Sequence, residues 1–313
     1  LCVPCIIFAG SGFLKEINCR RICRVCYLIC MLFCFPLLFY TPYVYGEIIS
    51  VTAGSFFLWA AVCYIKRGRI GAWIVLAACA VVGNMARGNF PVLLIAFGIM
   101  AVLYSVRKRR IMPVVCAVTV MVAAAAANKG CDAYYEQVSG IELDQGIPIE
   151  GWIAMGLNDS AEASGMYNGY NVNTYAKYDY DREAARKESL VYIHDRWTML
   201  SGGGAVPFFK EKLLVQWNDP TLTCFMENRS FMPEPDIPAI REIMSDEGKY
   251  YGMAVELMNQ YQLLIYLGVL FYCISAFRCR EPFYQLLPLI VVFGGCLFTL
   301  IWEAMARYVF PYF

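Results

Sequence analysis

Apolar runs almost free of charge recur along the chain at about 25 to 46, 48 to 65, 70 to 86, 90 to 106, 111 to 127, 261 to 277 and 283 to 302. Each approaches the roughly 20 residues an α-helix needs to cross a hydrocarbon core, which predicts seven transmembrane helices. The opening LCVPCIIFAGSGF is too short to cross alone and predicts the tail of an eighth. Residue 1 is Leu1 rather than Met, and a new apolar stretch begins near Glu303, ten residues before the end, so a fragment cut at both ends is expected.

The polar residues between the runs alternate in kind. Lys15, Arg20, Arg21 and Arg24, then Lys66, Arg67 and Arg69, then Arg107, Lys108, Arg109 and Arg110, then Arg278 and Arg280 fall in loops expected on the cytoplasmic side by the positive-inside rule. The intervening short loops hold Arg87 as their one cation in the first half, beside Glu47, with Glu303 and Arg307 near the C-terminus. Residues 128 to 260 fall on that same outer side and carry 11 basic and 21 acidic residues, an excess of ten negative charges. The expected fold class is an all-α polytopic membrane protein of the cell membrane. Transmembrane helices lie in 1–127, an extracytoplasmic mixed or helical domain in 128–260, and the last spans in 261–313. Within the outer segment, 181 to 200 and 236 to 259 have helical patterns, separated by loops rich in Gly, Pro and Asn.

Composition agrees with this pattern. Of 313 residues, 59% are apolar and 16% charged, and the mean hydropathy of +0.51 excludes a single soluble globular domain. A net charge of +1 with no basic aromatic platform argues against a nucleic-acid partner.

Several familiar motifs fail. Cys19, Cys23 and Cys26 have the spacing of an iron–sulfur triplet, yet they sit among Arg20, Arg21 and Arg24 and continue as Cys30 and Cys34 up an apolar run, where cysteine acts as a small hydrophobe. Of fifteen cysteines only Cys131 and Cys224 fall in the outer segment, where a disulfide and two buried thiols are both open readings. His194 is the only histidine and reads as structural, so a His-based zinc site and a serine triad are unsupported. Phosphate-binding loops are absent, since Gly202, Gly203 and Gly204 lack the Lys and Ser/Thr such a loop needs. Any group transfer at the outer face then calls for a lipid-linked donor.

Candidate chemistry sits at the outer ends of the runs, where a charge meets both water and headgroups at low cost. In TPYVYGE, Tyr43 and Tyr45 fit an interfacial belt and Glu47 is a candidate acid or base. In NMARGNF, Arg87 and Asn89 offer donors to a phosphate; the competing reading is an arginine that merely snorkels. In WEAMARY, Glu303 and Arg307 lie four apart and would share a helix face as an ion pair, with Tyr308 beside them. That trio is either an internal pair or a holder of an anionic headgroup bordering the same cavity as Glu47 and Arg87. Trp217 and Asp219, after the amphipathic FFKEKLLVQW, are expected along the membrane surface beside that site, or as an interfacial anchor. Ten tyrosines and three tryptophans between 128 and 260 suit sugar rings as well as cores.

PLLFYTPYVYGE, the turn ARGNF, GIPIEGWIAMGLND with GMYNGYN, QWNDPT and WEAMARYVFP together resemble the bacterial membrane glycosyltransferases of the GT-C superfamily, related to protein mannosyltransferases and lipid A aminoarabinose transferases. The resemblance runs from about residue 36 to the end. It implies an inverting transfer of a sugar from a polyprenyl-phosphate donor to a glycan, lipid or protein acceptor at the outer face. It also implies an acidic base in a first outer loop upstream of Leu1, so that these 313 residues alone are expected to be inactive, with Glu47 and Glu303 as the candidates within this chain. Arg87 and Gly88 fall where relatives carry a Lys-Gly pair near the donor phosphate. Cationic groups or a divalent metal ion would stabilise the departing phosphate. The competing class is a polytopic membrane protein without transfer chemistry, a polysaccharide transporter or assembly partner; it should show polar or broken helices at mid-membrane depth.

Overall fold

A computed structural model describes residues 1–43, 45–144, 146–278 and 283–313; in the basic loop after the sixth run, Arg280 and the Arg278 side chain lie outside the described residues. The described residues form helices and turns, with no strand among them. They divide into two compact units: Leu1–Cys131 with Pro220–Gly294 and Phe310–Phe313, and Asp132–Asp219 with Gly295–Val309. Residues 220 to 260 therefore pack with the first unit, whereas the 128–260 segment is defined by charge.

The first unit contains α1 (Cys2–Glu16), α2 (Arg21–Leu32), α3 (Phe35–Phe39), α4 (Gly46–Arg67), α5 (Ile70–Ala86) and α6 (Pro91–Lys108). At its centre lies α4, which buries Ala53, Gly54, Phe57, Ala60 and Ala61. Small side chains there let neighbouring helix backbones approach closely, while Phe57 meets Phe90 and Phe97 edge to face at 5.9 and 5.6 Å. Gly68 closes α4 at φ 62°, its N–H returning to the Tyr64 carbonyl at 2.7 Å. At the same end Glu16 meets Arg67 at 2.6 Å and Lys66 at 3.2 Å, tying the end of α1 to the end of α4.

Five helical segments are long and apolar enough to cross a membrane: Gly46–Arg67, Pro91–Lys108, Met112–Ser139, Tyr251–Ala276 and Tyr284–Ile301. They point to a multi-pass membrane protein. Large apolar side chains such as Ile95, Ile99, Leu263, Leu264 and Phe271 are exposed on them, as on helices solvated by lipid rather than water. Ile70–Ala86 is apolar but shorter, with 17 residues.

The run at 25 to 46, expected as one span, is not one continuous helix. It breaks between α2 and α3, where Pro36 enters: proline cannot donate the helical hydrogen bond, and its ring crowds the preceding turn. The chain still runs the length of α4, from Glu16 beside Arg67 to Glu47 at the start of α4, as a broken helix. Tyr40 is fully buried, stacked on Phe310 at 4.7 Å with its hydroxyl donating to the Leu222 carbonyl at 2.5 Å, and Asn228 Nδ2 donates to the Phe39 carbonyl at 2.6 Å. The helix α7 (Met112–Ser139) is longer than its run by a polar extension.

In the second unit, α8 (Ile149–Gly156), α9 (Tyr170–Lys177), α10 (Arg182–Met199) and α11 (Ala205–Trp217) pack together. Asp181 fixes the start of α10 by accepting the N–H groups of Glu183 and Ala184 at 2.9 and 3.1 Å. Back in the first unit follow α12 (Cys224–Phe231), α13 (Pro238–Met244) and α14 (Tyr251–Arg278). The single helix expected over 236 to 259 is split by the polar turn Ser245–Gly248, closed by the Gly248 N–H on the Ser245 carbonyl at 2.8 Å. Cys131 and Cys224 are not joined in a disulfide; Cys224 is fully buried and Cys131 half-buried. The last helix is α15 (Leu287–Ile301).

Candidate functional site

Two buried carboxylates, each with cationic and phenolic company, stand at helix ends, one in each unit.

The first is Glu47, in the opening turn of α4 and 1% exposed. Gly46 puts it there: a β-carbon at that position would lie 2.1 Å from the Ala86 carbonyl oxygen and 2.9 Å from Arg87 Cδ, so only glycine lets α4 start against the end of α5. Arg87 terminates α5 in extended backbone and turns its guanidinium onto Glu47, with Nη2 3.1 Å from Oε1. The guanidinium also lies over the Tyr45 ring, 5.1 Å from its centroid. Both charges suit their places, a carboxylate at the positive end of one helix dipole and a guanidinium at the negative end of another. Arg87 is therefore neither isolated nor snorkelling outward; its side chain is 11% exposed. Asn89 follows, 6% exposed, its backbone carbonyl accepting from Tyr312 Oη at 3.3 Å. The Asn89 amide lines a cavity of about 60 Å³ with Ser50, Ser55 and Leu93.

The second is Glu303, 3% exposed. The sequence pattern placed it on a helix shared with Arg307, but α15 ends at Ile301 and the chain enters a 3₁₀ turn at Ala306–Tyr308. Helical spacing therefore does not govern the trio. Instead the Tyr308 hydroxyl donates to Glu303 Oε2 at 2.9 Å, and Arg307 Cζ lies 5.3 Å from the Tyr308 ring centroid. Burial with the Glu303 charge alongside pushes the Tyr308 phenol up to about 12.

Sequence reasoning missed the residue at the heart of this second cluster. Lys212 is wholly buried, and its ammonium donates to the Gly156 carbonyl. Burial pulls its pKa down to about 7; the Glu303 charge pulls the other way and is outweighed. Gly165 makes room for it. Its φ is +76°, and a β-carbon there would come within 2.9 Å of Lys212 Cδ and Cε and 2.7 Å of the Gly156 carbonyl oxygen. The Gly165 carbonyl in turn accepts the Ala304 N–H at 2.7 Å, joining the GMYNGYN segment to the WEAMARY segment. A signal existed in the sequence: Phe208, Lys212 and Gln216 are spaced by four, and this stripe is the buried face of α11.

Trp217 and Asp219 are both half-buried. Trp217 Nε1 donates to Thr299 Oγ1 at 3.0 Å, and Gln216 Nε2 donates to the Thr299 carbonyl at 3.1 Å, so the end of α11 is pinned to α15. Asp219 follows in the turn after α11. His194 is exposed on α10. Glu47, Arg87 and Asn89 thus belong to one unit, and Glu303, Arg307, Tyr308, Trp217 and Asp219 to the other. No group of three or more His, Cys, Asp or Glu side chains suited to a metal ion occurs among the described residues. Comparison with protein-family models, with curated proteins and with solved structures finds no match to this chain.

Proposed function

We propose that this chain is a membrane glycosyltransferase that moves a sugar from a polyprenyl-phosphate donor to an acceptor at the outer face with inversion. The carrying observation is the Glu47–Arg87–Tyr45 cluster at the end of a membrane-length helix. It combines a carboxylate able to take a proton with a guanidinium able to hold a phosphate, at the depth where an apolar helix meets headgroups. In the reaction the acceptor hydroxyl attacks the anomeric carbon while a carboxylate takes its proton. The bond from that carbon to the phosphate oxygen breaks, and its electron pair leaves on the polyprenyl phosphate. Glu47 and Glu303 are the candidate carboxylates within this chain, and Arg87 and Arg307 the candidate phosphate holders.

Glu47→Gln with Arg87→Gln removes both charges without stranding either. In membranes containing the protein, given a panel of radiolabelled polyprenyl-phosphate hexoses and pentoses, this double variant should lose more than about 100-fold in transfer with abundance kept within about twofold. Two observations favour a second reading, a transporter or assembly partner without transfer chemistry: the Arg87 charge is already met by Glu47, and the apolar run at 25 to 46 is broken between α2 and α3. Unchanged transfer in the double variant would decide for that reading.

The segment 128–260 belongs on the extracytoplasmic side in this proposal, opposite the basic loops. Ala176, exposed on α9, tests it. Ala176→Cys should react with a membrane-impermeant maleimide added to intact cells, above the level of the parent chain. Labelling only after permeabilisation would invert the topology.

A further inference from the structure

Toward the end of α4 opposite Glu47, α1, α2 and Trp59 of α4 line an open cavity of about 480 Å³. Its wall changes character along its length. Phe8, Leu28 and Trp59 supply an apolar part, and Lys15, Arg21 and Arg24 bring three cations. No carboxylate lines it, and no ion pair to any of the three occurs among the described residues. The nearest acid in sequence, Glu16, is engaged by Lys66 and Arg67 instead. Arg24 Nε is shielded from solvent and has no hydrogen-bond partner among the described residues.

The placement of the arginines adds to this. Arg21 and Arg24 occupy the first turn of α2, the positive end of its dipole, where cations are disfavoured and an anion is stabilised. The same helix buries none of its residues and exposes Ile22, Leu28, Ile29 and Leu32. A pocket that is cationic at one end, apolar at the other and open beside an apolar helix has the chemistry of a single anionic lipid: phosphate on the cations, acyl chain along the apolar wall. We propose that this cavity binds one anionic phospholipid of the leaflet on the basic-loop side. The α4 residue that lines this site, Trp59, stands about 18 Å along the helix axis from Glu47, and Lys15 adjoins the Glu16 that meets Arg67 at the far end, so the bound lipid is structural or regulatory rather than a donor. The inference does not depend on the transfer chemistry proposed above.

Native mass spectrometry tests it on the protein released from nanodiscs of equal phosphatidylglycerol and phosphatidylcholine. Wild type should keep one phosphatidylglycerol per chain at about tenfold preference, and Lys15→Gln/Arg21→Gln/Arg24→Gln should lose that preference. Arg21→Lys/Arg24→Lys, which keeps the charge, should retain it, and so should Arg107→Gln/Lys108→Gln/Arg109→Gln, which removes a comparable basic cluster that lines no described cavity. If the distal triple variant loses the lipid equally, if phosphatidylcholine is kept as well, or if millimolar glycerol phosphate displaces the lipid, the proposal fails. The last outcome would mark a site for soluble phosphate esters. The lysine variant also guards against misfolding, since a charge-retaining protein that melts like wild type but holds no lipid overturns the assignment.

Discussion

Arg87→Met is expected to destabilise the protein by about 3–5 kcal/mol, because it leaves the Glu47 carboxylate buried at the foot of α4 without its guanidinium. At a size of a few hundred residues this corresponds to a fall of roughly 10 °C in the melting temperature of detergent-purified protein. Glu47→Met should cost less. The arginine it strands has a long side chain, already 11% exposed, and can carry its charge toward water. Combining Glu47→Met with Arg87→Met should return the melting temperature to near that of wild type, since two apolar side chains of similar volume replace a buried pair at little net cost. A double variant no more stable than Arg87→Met would mean that the pair is not the closed contact described. Recovery of stability without recovery of transfer would separate the packing of these residues from their chemistry.

Lys212 makes the second large effect, and it is one of pH. Its ordinary pKa of 10.5 falls to about 7 in the folded protein because burial penalises the ammonium. Between these values the unfolded chain holds a proton that the folded chain has released. Stability therefore rises with pH from about 7 to 10.5, at up to about 1.4 kcal/mol per unit. Below about 7 both states are protonated, the dependence vanishes, and the cost of the buried charge is fully present. Over the whole window the change is on the order of 5 kcal/mol. The melting temperature of wild type should climb between pH 7 and 9, and that of Lys212→Met should climb much less, the difference removing the contribution of the titrating cysteines. Parallel curves for the two proteins would show that Lys212 keeps its charge in the fold, with Glu303 prevailing over burial.

Helices were legible where one physical term dominates. Runs of uncharged apolar residues became α4, α5 and α6 close to their expected bounds, since length and hydropathy decide a span nearly alone. The break in the run at 25 to 46 was not legible by hydropathy, which reports how apolar a segment is and not whether its helix is continuous; Pro36 was the local mark of the break. Glu47 and Arg87 were visible as charges at the ends of runs, but their pairing was not, for it depends on Gly46 letting two helix ends meet. The Glu303–Arg307 geometry was misjudged by extending helical spacing beyond Ile301. Lys212 was hidden for a different reason. In FFKEKLLVQW two lysines look alike, and only the helix face separates the exposed Lys210 from the buried Lys212.

The second unit draws its members from Asp132–Asp219 and from Gly295–Val309. On the ribosome the first piece emerges about 75 residues before the second, an interval of roughly 4 to 15 s at ordinary rates of synthesis. During that time the Gly165 carbonyl lacks Ala304, the Gln216 amide lacks Thr299, and Lys212 has no Glu303 beside it. The nascent segment must be kept from aggregation or degradation until the last helix arrives. A stop codon just before residue 295 should therefore leave a product cleared by quality-control proteases although most of the apolar helices are complete.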